Sequence, residues 1–389
     1  MAAEGIVHAI FLIFTGAAVI ATVVLYARQA LPVAYIILGL LFGPWGFGLT
    51  TDPEVIRGMA EVGIIFLLFL LGLNLEPQEL RRLLREVTEV TIVTCVAFWL
   101  LGAGIAWLFG FGALEVALIG AAMMFSSTII GLKLLPTSAL HHQRMGEIIV
   151  SILLLQDVIA IIVLLFIQGW GGGQNPITEL LFSLAAAPLL VLFAFGFSRY
   201  VITRLFFKFD QIQEYIFLLA IGWCLAIAVL GEQVGLSLEI GAFIAGVTLA
   251  TNPVARFIAE SLKPLRDFFL IMFFFALGAG FDVTVLPEVF LPATALAVAA
   301  LLLKPIVFDK ILEREKEAAD LARQIGVRLG QISEFSLLIA IVGLETEVLS
   351  ARASYTIQAA TILTFIGSSY WIVLRYPTPV AVSDALRRD

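Results

Sequence analysis

The sequence predicts an all-α, polytopic membrane protein of about thirteen transmembrane helices. Three observations predict it. First, 61% of the 389 residues are hydrophobic and only 14% are charged, with a mean hydropathy of +1.05. A water-soluble domain cannot bury that much apolar surface, so the surrounding solvent is lipid. Second, apolar runs long enough for a hydrocarbon core of ~30 Å recur along the chain. Thirteen are counted, at about 5–26, 30–48, 55–75, 88–111, 113–135, 146–169, 176–206, 213–231, 236–251, 266–281, 285–308, 324–344 and 354–375. The second and ninth are the shortest. Third, the basic residues alternate between loops. Of the 23 Lys and Arg, Lys304 is read as lying inside a span, and only Arg57 and Arg352 fall with the even-numbered loops. The other twenty, among them Arg81, Arg82, Arg85, Arg204, Lys208 and Lys263, are assigned to the odd-numbered loops and the C-terminal tail. The positive-inside rule then places the odd loops and the C-terminus in the cytoplasm and the N-terminus outside the cell membrane.

The remaining elements follow in order. The first run lacks a basic leader and a small-residue cleavage site, so it reads as a spanning helix. The even-numbered loops carry acids, including Asp52, Glu54, Glu61, Glu115, Glu179, Glu232, Asp282 and Glu345, which are expected to face entering or leaving cations. The glycine-rich stretch Gly169 to Pro176 separates two halves. The charged segment Lys310 to Asp320 has helical spacing and predicts an amphipathic cytoplasmic helix. Only fourteen residues follow Arg375. Cys95 and Cys224 lie in apolar runs, and His8, His141 and His142 lack metal-ligand spacing. With no phosphate loop, metal cluster or nucleophile triad, the pattern speaks for a transporter rather than an enzyme.

Polar residues inside the bilayer carry the functional signal. Gln156 and Asp157 sit halfway along the sixth run, between aliphatic residues. A carboxylate there costs ~2.5–3.5 kcal/mol even on the lenient insertion scale. Its charged form can take a dehydrated cation and its neutral form can hold a proton, and one group that must choose between them is the minimum chemistry of an exchanger. The bland alternative is an acid paired with a buried cation or a helix end. Ser126, Ser127 and Thr128, followed by Gly131, suit a locally unwound fifth span whose opened carbonyls help hold a cation. Small-residue helix packing is the alternative. Gly330, Gln331, Ser333, Glu334 and Ser336 form a similar polar stretch in the twelfth run. An inverted repeat of spans four to six onto eleven to thirteen would align the two stretches. Glu334 either touches the ion or caps a broken helix. Lys304, followed by Pro305, needs a route to the interface or an acid partner, for which Asp157 is the candidate. Gly102 with Gly104, Gly241 with Gly246, and Gly278 with Gly280 read as helix-packing sites, the Phe-rich stretch Phe268 to Phe281 as a lipid or helix contact, and Glu239 as interfacial.

Taken together, Gln156-Asp157, the upstream Ser-Ser-Thr and the downstream Gly330 to Phe335 segment resemble the Kef-type branch of the monovalent cation:proton antiporters, the cation:proton antiporter family 2. Val62 to Leu73 and Gly235 to Gly246 match its pattern as well. The resemblance implies an elevator-type homodimer in the lipid bilayer, with two discontinuous helices crossing near Asp157. The implied division is scaffold helices one to three (1–87), core helices four to six (88–170), a linker helix (171–210), scaffold helices eight to ten (211–283), core helices eleven to thirteen (284–376) and a cytoplasmic tail (377–389). Relatives with two acids at this position pair the lysine matching Lys304 with the first of them. Here Gln156 replaces that acid, which implies one proton per cation, hence electroneutral exchange, with K+ favoured over Na+ at Asp157. No cofactor or nucleic-acid partner is implied. Kef systems carry a C-terminal nucleotide-binding regulatory domain, expected here as a missing domain or subunit if the chain is truncated. Phe257 to Pro264, where an acidic, His-containing regulatory loop would fall, has no His, so glutathione gating is not supported. A K+ efflux channel without obligatory proton exchange is the alternative, although no carbonyl-ring filter motif is present. A non-transporting sensor would have little need to keep Asp157, Lys304 and both polar stretches.

Overall fold

A computed structural model describes residues 2–27, 29–49, 53–73, 77–133, 144–171, 188–209, 211–234, 236–250, 252 and 254–378. His141, His142, most of the Gly169 to Pro176 stretch and the tail beyond Thr378 lie outside the described residues. The described chain is helical, without a strand. Lipid offers no hydrogen bonds to the backbone, so each apolar segment satisfies its own N–H and C=O groups within a helix.

The helices are α1 (Ala2–Tyr26), α2 (Leu31–Phe42), α3 (Pro53–Leu73), α4 (Pro77–Leu108), α5 (Ala113–Met124), α6 (Thr128–Lys133), α7 (Arg144–Gly171) and α8 (Pro188–Lys208), followed by α9 (Gln213–Gln233), α10 (Leu238–Ala250), α11 (Ala255–Ala279), α12 (Leu286–Arg314), α13 (Ala319–Arg328), α14 (Glu334–Glu345) and α15 (Ala351–Arg375). Among the described residues, seven helices are long and apolar enough to cross a membrane, and four shorter apolar helices accompany them. This is a multi-pass membrane protein.

The structure corrects three boundary expectations. Helix α4 begins at Pro77, so Arg81, Arg82 and Arg85 ride on a helix that extends the fourth span. Helix α11 begins at Ala255 and carries Pro264 within it, so Lys263 and Arg266 are helical too. The charged segment 310–320 is not a helix of its own. It is the end of α12 and the start of α13, divided at Lys316, whose φ is +67°. Charges at helical spacing fit either arrangement, and a lysine in the left-handed region gives no warning in sequence.

The chain forms two compact units. One contains Met1–Val19, Tyr35–Arg81 and Gln168–Gly280; the other contains Ile20–Ala34, Arg82–Ile167 and Phe281–Asp389. In the first unit α3 packs on α10 and α11, and α9 packs on α10. A Cβ on Gly246 would overlap the Phe69 carbonyl oxygen, and Gly72 makes the same close approach to Phe243. Helices α3 and α10, which carry most of the two motif stretches, thus cross closely at Gly72 and Gly246, where small residues let the backbones approach.

In the second unit α12 packs on α13 and α15, and α14 packs on α15 and α5. An apolar core from α4, α7, α12 and α13 includes Val90, Phe98, Ile149, Ile152, Phe308 and Ile325. Phe98 and Phe308 meet edge to face, with centroids 5.2 Å apart, a favoured aromatic geometry. A Cβ on Gly326 would sit 2.6 Å from the Pro305 carbonyl oxygen. That close approach brings α12, and with it Lys304, against the end of α13.

Candidate ion-binding site

Both polar stretches break their helices. After α5 the backbone turns extended at Phe125 (φ −89°, ψ 146°), and helix resumes at Thr128. Ser127 Oγ accepts from the Ile130 N–H at 3.1 Å, satisfying one of the free donors that a new helix start exposes. After α13 the chain is irregular from Leu329 to Ser333. Ser333 caps α14, its Oγ accepting from the Phe335 N–H at 3.1 Å. Gly330 lies where a Cβ would meet the Pro305 ring at 2.9 Å.

The two breaks are bonded to each other. Ser126 Oγ donates to the Leu329 carbonyl at 2.8 Å. Gln331 Nε2 donates to the Ser127 carbonyl at 3.3 Å, and Ser336 Oγ donates to the Ala122 carbonyl at 2.6 Å. Lys304 lies between them, 0% exposed. Its Nζ donates to the Phe125 carbonyl and to the Gln331 carbonyl, each at 2.9 Å, and it sits 4.9 Å from the Phe98 ring centroid. The expected choice between snorkelling and pairing with Asp157 is therefore overturned. The ammonium is held by one carbonyl from each break and by an aromatic face. The carbonyls of Phe125, Ser127, Leu329 and Gln331 each already accept from a protein donor, so the breaks are not simply open to an ion.

Helix α7 brings Gln156 and Asp157 to the first break. Gln156 Oε1 accepts from the Ser126 N–H at 2.8 Å, which orients the amide. Asp157 is 2% exposed, and its Oδ2 is buried without a hydrogen-bond partner. Gln156 Nε2 and Thr128 Oγ1 are buried in the same state. Glu334 is buried as well, in the first turn of α14. A buried polar atom without a partner costs about 1–3 kcal/mol. Buried polar atoms are normally hydrogen-bonded, so each of these calls for an explanation.

Three contributors escaped the sequence reading. Thr364 Oγ accepts from the Ile332 N–H at 3.0 Å, and Ser368 Oγ donates to Gln331 Oε1 at 3.1 Å. Both belong to α15, where Ser354, Thr361 and Ser368 recur every seven residues. That polar stripe on the last span was the signal available. The third is Arg328, which was counted with the loop cations. It closes α13 and is 1% exposed.

Residues 10–375 match the family described as sodium/hydrogen exchanger, transmembrane. The chain belongs to this family. Similar relatives include the glutathione-regulated potassium-efflux system protein KefC of Klebsiella pneumoniae (strain 342), 30% identical over 346 residues, covering 87% of this chain and 55% of the relative. KefC of Cronobacter sakazakii (strain ATCC BAA-894) is 29% identical over 369 residues, covering 93% of this chain and 59% of the relative. The chain thus spans a little over half the length of these relatives. Among solved structures, the sodium proton antiporter MjNhaP1 from Methanocaldococcus jannaschii at pH 8 aligns with a TM-score of 0.71 and 16% identity, over 95% of this chain and 96% of that one. The exchanger fold is shared with it.

In this exchanger-family chain, two of the loop acids serve the fold. Glu115 accepts from the Gly112 N–H at 3.0 Å and the Ser350 N–H at 3.1 Å, joining the starts of α5 and α15. Asp282 accepts from the N–H and the hydroxyl of Thr284. The expectation that these two wait for passing cations gives way to a capping role. Nearby, Arg352 donates to the Phe109 carbonyl and lies over Phe111.

Proposed function

We propose that this chain is a secondary active transporter that exchanges a monovalent cation, with K+ favoured, for H+. The observation that carries the reading is the buried Asp157 carboxylate with an unpartnered oxygen, set beside an amide that is bonded to a broken helix. A cation and a proton compete for that oxygen. Ser126, Ser127 and Thr128 line the first break, while Gln331, Ser333, Glu334 and Lys304 complete the second. The names of the KefC relatives support potassium. The name of the structural neighbour favours a second reading, sodium.

The proposal includes thirteen spans, with each broken helix counted as one, the N-terminus outside and the C-terminus in the cytoplasm. It also includes a homodimer and an elevator motion of core against scaffold. The division into two compact units, one of which holds every candidate site residue, supports that motion. A single exchange carboxylate supports one proton per cation, an electroneutral cycle.

The test is a pH-dye assay of the purified chain in proteoliposomes. K+ should elicit proton movement at lower concentration than Na+ or Li+, and the rate should not respond to an imposed membrane potential. A K+ flux that follows its own gradient and ignores pH would replace the exchanger with a channel. Stronger responses to Na+ would move the assignment to sodium.

Gln156→Asp probes stoichiometry. A second carboxylate adds a charge to the moving site, and one charge crossing 100 mV is worth about 2.3 kcal/mol. The variant's exchange rate should therefore change several-fold with potential where the parent's does not. A variant as insensitive as its parent would remove the argument for electroneutrality.

A further inference from the structure

We infer that Arg328 is a positioning residue for the exchange site, and that it works by tying the segment leaving α15 to the second helix break. The inference rests on the exchange reading above. Arg328 ends α13 and is 1% exposed. Its Nη2 donates to the Pro377 carbonyl at 2.8 Å, and its guanidinium carbon lies 5.9 Å from the Tyr376 ring centroid. Thr378 beyond it is fully buried. A cation at a helix C-terminus is favoured by the helix dipole, and a charge-assisted bond to a carbonyl is among the stronger hydrogen bonds.

The next residue connects this contact to the site. Leu329 carries the carbonyl that Ser126 Oγ bonds, and the Ser126 N–H holds Gln156 beside Asp157. A continuous path therefore runs from Pro377 through Arg328, Leu329, Ser126 and Gln156 to the exchange carboxylate. Every step is a peptide bond or a hydrogen bond of 2.8 Å. Helix α15 adds a parallel hold through Thr364 and Ser368. Segment 376–378 thus acts as a strap on the break. Moving it shifts the Leu329 carbonyl and with it the cation affinity at Asp157.

Five proteins test this: the parent, Arg328→Gln, Arg328→Lys, Tyr376→Ala with Pro377→Gly, and the combination of Arg328→Gln with that strap pair. The readouts are half-saturation for K+ against maximal rate in proteoliposomes, and the K+-dependent shift in melting temperature of the purified protein. Arg328→Gln should raise half-saturation about tenfold, the scale of one charge-assisted bond, with a smaller change in maximal rate. Arg328→Lys, which keeps a cationic donor, should recover most of that loss. The strap pair should weaken affinity similarly, and combining it with Arg328→Gln should add little. Unchanged half-saturation with only a lower melting temperature would make Arg328 merely structural. Fully additive losses would also overturn the coupling. If the parent shows no cation-dependent proton movement, the exchange reading fails by itself, and the strap is still judged by the K+-dependent melting shift.

Discussion

Asp157→Asn is expected to abolish cation-dependent proton movement in proteoliposomes while leaving the fold intact. The two side chains share a shape, so core packing is conserved. The Oδ2 of Asp157 has no hydrogen-bond partner to lose, and no ion pair joins it to Lys304 among the described residues. Melting temperature should therefore stay within a few degrees of the parent. Transport has no such tolerance. An amide cannot release a proton in the physiological range, and it offers a cation a dipole where a charge had been. Removing one partner of a buried charged contact costs about 3–5 kcal/mol, or roughly two to four orders of magnitude. Residual exchange above about a hundredth of the parent rate would move the carboxylate role elsewhere, with Glu334 the first place to look.

How much of this was legible in the sequence differs from residue to residue. Gln156 and Asp157 stood out because a charge amid aliphatic residues in a span-length run is costly, and the cost needs no structure to see. The breaks at 125–127 and 329–333 were legible through clusters of hydroxyls and glycine, which satisfy or free backbone groups where a helix opens. Gly246 was readable as a packing site, though Gly72 was not recognisable as its partner. Pairing is where sequence reasoning stopped. For Lys304 the sequence offers a route to the interface or the acid Asp157, because a sequence displays side-chain charge and hides which backbone carbonyls a broken helix leaves facing inward. Arg328 was lost for a related reason. It falls within the run counted at 324–344 but close to its start, and a boundary uncertain by a few residues let it be assigned with the loop cations. Glu115 looked like a solvated acid until the starts of α5 and α15 were seen to meet at it. The charged segment 310–320 kept its helical periodicity while changing its parentage, since periodicity says that residues are helical and not which helix owns them.

Lys304→Met separates the two readings of the lysine most sharply. Methionine keeps the length and apolar stem but removes the donor, leaving the carbonyls of Phe125 and Gln331 without it in a region shielded from water. At about 1–3 kcal/mol for each buried acceptor, the loss is roughly 2–6 kcal/mol. That is a large share of the 5–15 kcal/mol typical of a folded domain, and melting should fall by roughly 3–10 °C on the usual size scaling. Exchange should fall with it, because the same two carbonyls fix the spacing of the breaks around Asp157. If the lysine instead balanced the Asp157 charge, Asp157→Asn would destabilise as well, and the double variant would cost less than the two single changes together. The geometry predicts the opposite: Asp157→Asn alone is nearly silent in stability, and in the double variant the losses add within about 0.5 kcal/mol. A coupling of more than 1 kcal/mol between the two positions, measured by a double-mutant cycle of denaturation, would restore the ion pair and withdraw the bridge between the breaks.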